Sequence, residues 1–462
     1  MLAQWFQRTI SGQWRYIIEK ATWVILPFIG MQITRLLSNI ALAWLLAPEL
    51  LGAMVLINTL RLGVELLTDI GVGQSIVSHP RGAEPDFYNT AWTLQIIRGI
   101  LLTVLMLALA FPVSAAYSDP DLRYLLPAVA PLFLILGCTS PARFLLQRRM
   151  EVRTLSLFDL ALSTFAALAQ IMLAWLMPTI WALIFGLLIG ATASTLASYF
   201  LMDSHTLRLR IERKTVLSIV NFGKWIFASS LIYFLSSNLD RLYFADLLSA
   251  AALGVYGIAK TYSETLTALF ARISGFLVFP VVSSSQNKVL DLRRKVGPAR
   301  FAVLAITSLI LSSAISLADE FITLLYDARY ENAGTILTIL LIGTWFSILN
   351  ALADNVMLGL RKPAGTALAN GLKLAAIVGS LPFALSYGGF VGALIVFVFA
   401  DLIRYLVLAA GVRRAGLGFS RQDILLTLGF VAQIFLFREM TGAIWLTDGV
   451  QGWIIQLENL DV

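Results

Sequence analysis

Apolar runs of membrane-spanning length follow one another along nearly the whole chain, and this constrains the fold more than any other feature. A helix needs about 20 consecutive apolar residues to cross a hydrocarbon core about 30 Å thick. In lipid, only helices and closed barrels satisfy every backbone polar group. The runs are continuous rather than alternating with period two, which selects helices. The spacing predicts spans near 21–46, 51–78, 89–116, 122–146, 154–177 and 179–202. A second set is predicted near 217–248, 251–281, 301–326, 332–359, 366–387 and 389–411. Trp23, Trp44, Trp92, Trp175, Trp181 and Trp225 fall near the ends, where interfacial aromatics belong.

The loops test this arrangement. The N-terminus and residues 79–88, 147–153, 203–216, 282–300, 360–365 and 412–423 share one side and hold 21 Lys and Arg, whereas the opposite loops hold only Arg123 and Arg329. This asymmetry fits twelve helices with a cytoplasmic N-terminus. The net charge of +7 then reads as basic loops facing anionic headgroups, not as a nucleic-acid surface. Residues 1–20 place Phe6, Ile10, Trp14 and Ile17 at helical spacing among Arg8, Arg15 and Lys20, the pattern of an amphipathic interfacial helix. No cleavable signal peptide is evident. At the other end, Ile424–Phe437 is apolar but short, and Arg438 and Glu439 follow it. A thirteenth span within 424–446 and an interfacial segment are both open.

The two halves echo each other. A shift of 202 residues aligns Trp23 with Trp225, Leu45 and Leu46 with Leu247 and Leu248, and Gly52 with Gly254. Both copies start after an inside loop, so they are parallel repeats related by an axis along the membrane normal. Two such bundles are a transporter architecture. The expected organisation is an amphipathic helix (1–20), a six-helix N-lobe (21–202), a cytoplasmic linker (203–216), a six-helix C-lobe (217–411) and a tail (412–462).

Charges inside the spans carry the functional signal. Arg35 lies in the first span. Arg61, Glu65 and Asp69 stack on one face of the second, four residues apart. Arg98 is in the third, Asp240 and Arg241 in the seventh, Lys260, Glu264 and Arg272 in the eighth, and Asp401 and Arg404 in the twelfth. At about 3 kcal/mol each, the seven cations of this set would cost roughly 20 kcal/mol facing lipid. Arg35 has no acid one turn away, and a water-filled cavity for an anionic cargo accounts for it. The candidate substrate-binding residues are Arg35, Arg61, Arg98, Arg241, Lys260 and Arg272. Glu65, Asp69, Glu264 and Asp401 are candidates for a coupling proton or sodium ion. The competing reading makes Arg61–Glu65 and Lys260–Glu264 self-neutralising packing pairs, with the acids serving nearby arginines. Pro27, Pro112, Pro127, Pro131 and Pro141 interrupt spans and are candidate hinges.

Other motifs fail on context. Asp119-Pro120-Asp121 resembles a metal-binding DxD but sits on an outside loop, where turn chemistry explains it. Gly71-Val72-Gly73 lacks the βαβ frame of a dinucleotide site, and no Walker A sequence appears. With one cysteine, Cys138, and two distant histidines, His79 and His205, neither a disulfide nor a metal centre is expected, and no cofactor is implied.

Several segments carry a family resemblance: TDIGVGQSIVSHP (68–80), DFYNTAWTLQIIRG (86–99), FLLQRRMEVRTL (144–155), SNLDRLYFADLLSAAALGVYGIAKTYSE (237–264) and LLYDARYENAG (324–334). Over about 20–412 the chain resembles the polysaccharide-transporter branch of the superfamily that also contains multidrug and toxin exporters and lipid II flippases. The resemblance implies an all-α bundle of twelve helices in two lobes. It implies a flippase moving a polyprenyl-diphosphate-linked oligosaccharide across a bacterial inner membrane by ion-driven alternating access, for exopolysaccharide or surface-polysaccharide assembly. The implied partners are that glycan lipid, membrane lipids, H+ or Na+, and a polysaccharide polymerase in contact with a monomeric carrier. One alternative is a cation-coupled multidrug antiporter, which would want an acidic cavity. Another is a membrane glycan polymerase or ligase, which would want a sizeable external loop, whereas the longest here are near 117–121 and 327–331.

Overall fold

The computed structural model describes residues 12–66, 71–201, 207–277, 289–360 and 363–441. Among these every regular element is helical: α1 Gly12–Leu45, α2 Pro48–Leu66, α3 Val72–Ser78, α4 Pro85–Ala116, α5 Leu122–Val129, α6 Pro131–Gly137, α7 Ala142–Arg148, α8 Val152–Leu176 and α9 Ile180–Ser198. Then come α10 Arg213–Leu247, α11 Ala250–Leu277, α12 Val289–Ser316, α13 Ala318–Leu325, α14 Ala333–Gly359, α15 Pro363–Arg414 and α16 Ser420–Thr441. Among the described residues, seven helices are long and apolar enough to cross a membrane, eight if the bent pair Leu122–Gly137 and Ala142–Arg148 is one span. Helices α2, α10, α11 and α16 fall outside that group, and the first three carry Arg61, Glu65, Asp240, Arg241, Lys260 and Glu264.

Where the structure departs from the expected spans, the cause is local. The helix described from Gly12 continues to Leu45 without a break at residue 20. Residues 1–11 of the expected amphipathic segment lie outside the described residues. The expected span 51–78 is helical as far as it is described, to Leu66; residues 67–70 lie outside the described residues, and a separate helix starts after Gly71, whose φ of 63° is left-handed. The span 122–146 is three short helices, with a bend of 52° between Leu122–Gly137 and Ala142–Arg148. Pro131 opens α6 and Pro141 precedes α7, because proline offers no N–H to the preceding turn. Pro27, Pro112 and Pro127 lie inside continuous helices, so only two of the five candidate hinges break one.

The 51 helical residues Ala364–Arg414 would extend about 76 Å if straight, far more than one crossing needs. They double back. Gly389 has φ 52° and ψ −144°, a conformation open chiefly to glycine. A Cβ on Gly392 would lie 2.4 Å from the Ala384 carbonyl oxygen, although a straight helix would set those residues about 12 Å apart. Lys373 and Asp401 meet at 2.7 Å, as do Arg404 and Asn370 at 2.6 Å. These pairings describe a helical hairpin centred near Tyr387, and its arms are the expected spans 366–387 and 389–411.

The chain packs as two compact units, Met1–Leu45 with Leu60–Leu231, and Leu46–Thr59 with Ile232–Val462. The division falls within α2 and within α10, beyond the basic segment 203–216. In the first unit α8 packs on α1 and α9, and α4 packs on α5 and α6; in the second, α14 packs on α11 and α15, and α12 on α16. The repeat is visible in the second unit as a reciprocal contact. A Cβ on Gly52 would lie 1.8 Å from the Ala250 carbonyl oxygen, and one on Gly254 would lie 2.2 Å from that of Pro48. Shifting Pro48 and Gly52 by 202 residues gives Ala250 and Gly254, so each copy touches the other through the same pair of positions. That is the contact pattern of a local two-fold axis, and glycine is required because backbone meets backbone.

Helix α16 lies beside α12 and runs in the same direction. Arg300 pairs with Asp423 near the start, and the Ser312 hydroxyl reaches Gln433 Oε1 at 3.3 Å further along. Trp345 stacks on Phe430 at 4.8 Å and donates its indole N–H to Thr427 at 3.0 Å. The uncertain tail therefore begins as a 22-residue helix built into the second unit.

Candidate functional site

In the first unit the in-span charges converge on two neighbouring cavities. One, of 490 Å³, is lined by Gln32, Arg35 and Asn39 of α1, Arg61 of α2, and Gln170 of α8. Among the described residues, none of those lining it is Asp or Glu. The other, of 730 Å³, is lined by Glu65, Gln74, Gln95, Arg98, Arg143 and Gln147 with Phe133 and Phe144. Leu136 lines both. The α2 turn between them carries the Arg61–Glu65 ion pair, at 3.3 Å. Arg61 also keeps its Nε buried with no hydrogen-bond partner, and Arg98 donates to the Glu65 carbonyl oxygen at 2.5 Å. Arg61–Glu65 is thus the one-turn pair the spacing allows, and its arginine still faces a cavity.

The second unit holds a cross-braced network. Lys260 pairs with Asp240 at 2.5 Å and Arg241 with Glu264 at 2.6 Å, both between α10 and α11. Tyr256 donates its hydroxyl to Asp240, and Arg241 donates to Asn238 at 3.2 Å. This corrects the reading of Lys260–Glu264 as a self-neutralising pair. Each residue prefers an acid or base on the facing helix, where a shorter contact closes between packed surfaces. Arg272 stands exposed two turns beyond Glu264. Asp401 pairs with Lys373 across the α15 hairpin, and Arg404 with Asp354 at 2.6 Å. Asp69 lies outside the described residues.

Sequence reasoning passed over Arg143, Asp354 and Lys373, although the available signal, a charge within an apolar span, marks all three. It had no means of finding Gln32, Asn39, Gln74, Gln95, Gln147 and Gln170, because uncharged amides are common in helices and acquire meaning only when several face one cavity.

The basic face is more ordered than a loop reading suggests. Arg148 donates to the carbonyl oxygens of Ile76, Val77, His79 and Pro80, capping the end of α3. Residues 207–212 lie along α4, with the amides of Arg208, Arg210 and Glu212 donating to Asn89, Thr93 and Thr90. Glu212 accepts from the Thr215 hydroxyl at 2.5 Å and from Arg81 at 3.3 Å, and Arg210 meets Asp86 at 2.5 Å. The Thr215 hydrogen bond, aided by Arg81 and Arg210, holds the Glu212 carboxyl below its ordinary range against a partial desolvation. Asp119 accepts from the Asp121 amide at 2.9 Å, an Asx turn, so turn chemistry explains the DxD sequence.

Comparison with known proteins places this geometry in a family. Residues 41–353 match the model of a family described as polysaccharide biosynthesis protein. The chain belongs to that family. It is 22% identical over 354 residues to the lipopolysaccharide biosynthesis protein WzxC of Escherichia coli K12, covering 76% of this chain and 70% of that one. It is 20% identical over 279 residues to the teichuronic acid biosynthesis protein TuaB of Bacillus subtilis 168, covering 60% of this chain and 58% of that one. Among solved structures it resembles the lipid II flippase MurJ in an inward closed conformation, with TM-score 0.75 and 13% identity over 94% of this chain and 95% of that one. An inward-facing multidrug-resistance transporter of the MATE family gives TM-score 0.66 and 12% identity over 84% of this chain and 95% of that one. At these identities the structural likeness shows the fold. This family member is a polytopic, all-helical membrane protein built on a transporter fold.

Proposed function

We propose that this chain is a flippase that carries a polyprenyl-diphosphate-linked oligosaccharide across the inner membrane, feeding exopolysaccharide or surface-polysaccharide assembly. The observation that carries this reading is the 490 Å³ cavity holding Arg35 and Arg61 with no carboxylate among its described lining residues. Guanidinium groups bind phosphate oxygens with directed, charge-assisted hydrogen bonds. A cationic drug would meet two like charges in the same place. A diphosphate seated between Arg35 and Arg61 leaves its isoprenoid tail in the bilayer, and binding shifts the carrier toward the arrangement that holds it. The network of Arg241, Lys260, Asp240 and Glu264 braces α10 against α11.

The remaining assignments belong to the same proposal. The N-terminus is cytoplasmic, and α16, parallel to α12, makes a thirteenth crossing. Its 22 residues extend about 33 Å, enough for the core. A coupling proton or sodium ion would have to displace an existing partner from Glu65, Glu264 or Asp401. Glu65 has the longest of those ion pairs, 3.3 Å, so it is the best placed of the three to exchange Arg61 for a cation. The test is complementation of a strain lacking this gene. Arg35→Ala and Arg61→Ala should abolish surface polysaccharide while the protein reaches the membrane at normal level, and normal polysaccharide output from both variants would refute the cavity assignment.

A further inference from the structure

The larger cavity has a different chemistry from its neighbour. Its described lining adds the carboxyl-bearing Glu65, which pairs with Arg61, to the arginines Arg98 and Arg143. Arg143 is further engaged with Asp159 at 2.9 Å, and Arg98 with the Glu65 carbonyl. Like its neighbour it holds three amides, here Gln74 on α3, Gln95 on α4 and Gln147 on α7, but they stand beside a carboxylate, which repels a phosphate and accepts from a hydroxyl. An amide both donates and accepts, which suits a hydroxyl group that does the same and gives little to a fully ionised phosphate. Phe133 and Phe144 supply apolar wall, and the volume of 730 Å³ lies in the range that encloses a drug-sized molecule.

We propose that this cavity is a sugar-reading subsite, taking one or two pyranose rings of the headgroup while the diphosphate lies in the Arg35–Arg61 cavity. The inference rests on the flippase reading and adds where specificity for the glycan resides. The two cavities share Leu136 and flank one turn of α2, the adjacency a sugar joined to a diphosphate requires. Gln147 and Arg143 lie exposed on α7, at the accessible edge of the cavity, while Gln95 is tied to the Leu136 carbonyl at 3.0 Å. Gln147 and Arg143 are therefore the side chains able to reorient around different sugars, and Gln95 is the fixed point.

The experiment uses the full chain in lipid nanodiscs and four probes: a short-chain polyprenyl diphosphate, bare or carrying a single hexose, N-acetylhexosamine or hexuronic acid. The wild type should bind at least one glycosylated probe about tenfold more tightly than the bare diphosphate, the size expected from one or two added hydrogen bonds. The double variant Arg143→Gln, Gln147→Ala should lose that preference and keep its affinity for the bare diphosphate. Gln74→Trp, which fills the cavity from an exposed position, should remove the preference in the same way and serves if the double variant fails to fold. A wild type without preference, or a preference surviving in the folded variants, overturns the sugar subsite. Failure of the wild type to bind even the bare diphosphate overturns the flippase reading instead.

Discussion

Replacing Lys260 by methionine should destabilise the protein severely, and the reason can be worked from Asp240. The Asp240 side chain is 2% exposed and receives Lys260 at 2.5 Å and the Tyr256 hydroxyl. Its Oδ1 has no hydrogen-bond partner, so Lys260 supplies its direct ion pair. Lys260→Met removes the opposite charge and leaves a carboxylate sealed between α10 and α11. Breaking one side of such a buried pair costs about 3–5 kcal/mol, because the remaining ion keeps its desolvation penalty and loses the attraction that offset it. Removing both charges with Asp240→Asn, Lys260→Met should recover most of the loss, leaving a deficit of about 1 kcal/mol and a coupling energy of at least about 2 kcal/mol. Unfolding of the purified variants by titration with denaturing detergent, read by tryptophan fluorescence, supplies all four corners of the cycle. If Lys260→Met alone costs less than about 1 kcal/mol, or the double variant is as unstable as the two single losses summed, Asp240 and Lys260 are not a buried structural pair, and Lys260 returns to the list of cargo-binding cations.

Gly52→Ala should cost about 1–3 kcal/mol or more in the same assay, since the new methyl would collide with the backbone at Ala250, whereas Gly371→Ala, with open space around it, should be neutral or stabilising. The docked segment 207–212 should loosen in acid. Because the folded-state pKa of Glu212 is lowered, its contribution is complete above the ordinary carboxylate range and disappears as pH falls through the depressed value. The protection of the 207–212 amides against hydrogen exchange, relative to their intrinsic rates, should fall there, and in Glu212→Gln that fall should vanish. A cysteine introduced after Thr441 should react with an impermeant thiol reagent from outside the cell if α16 crosses in parallel with α12, and labelling only after permeabilisation would place α16 otherwise.

Much of the architecture was legible because hydrophobic length and loop charge act locally. The run that became α15 shows the limit of that reading. Its two arms were separable at Gly388–Gly389 from hydropathy alone, yet the reversal itself is a φ of 52° confirmed by pairs such as Lys373–Asp401. Pro131 and Pro141 broke a span and Pro112 did not, although the three look alike in sequence. Helix propensity records what proline removes, and neighbouring helices decide whether the chain bends. The candidate site divides the same way. Arg35 and Arg61 were conspicuous as charges in apolar surroundings, and they do line a common cavity. The partner of Lys260 was not readable, because Glu264 one turn away and Asp240 twenty residues back are equally plausible until the angle between two helices is known.

The sequence by itself determined that this protein lies in a membrane, that it is helical, and that it repeats. Each of these depends on residue type and spacing along one segment, through transfer free energies and helical periodicity. The tertiary structure alone decided which charges are spent on each other and which face a cavity, that the repeated glycines meet reciprocally, and that three glutamines gather beside two arginines. Those outcomes depend on distances of a few ångströms between residues far apart in the chain, where the Coulomb and hydrogen-bond terms are strong and sequence spacing carries no information.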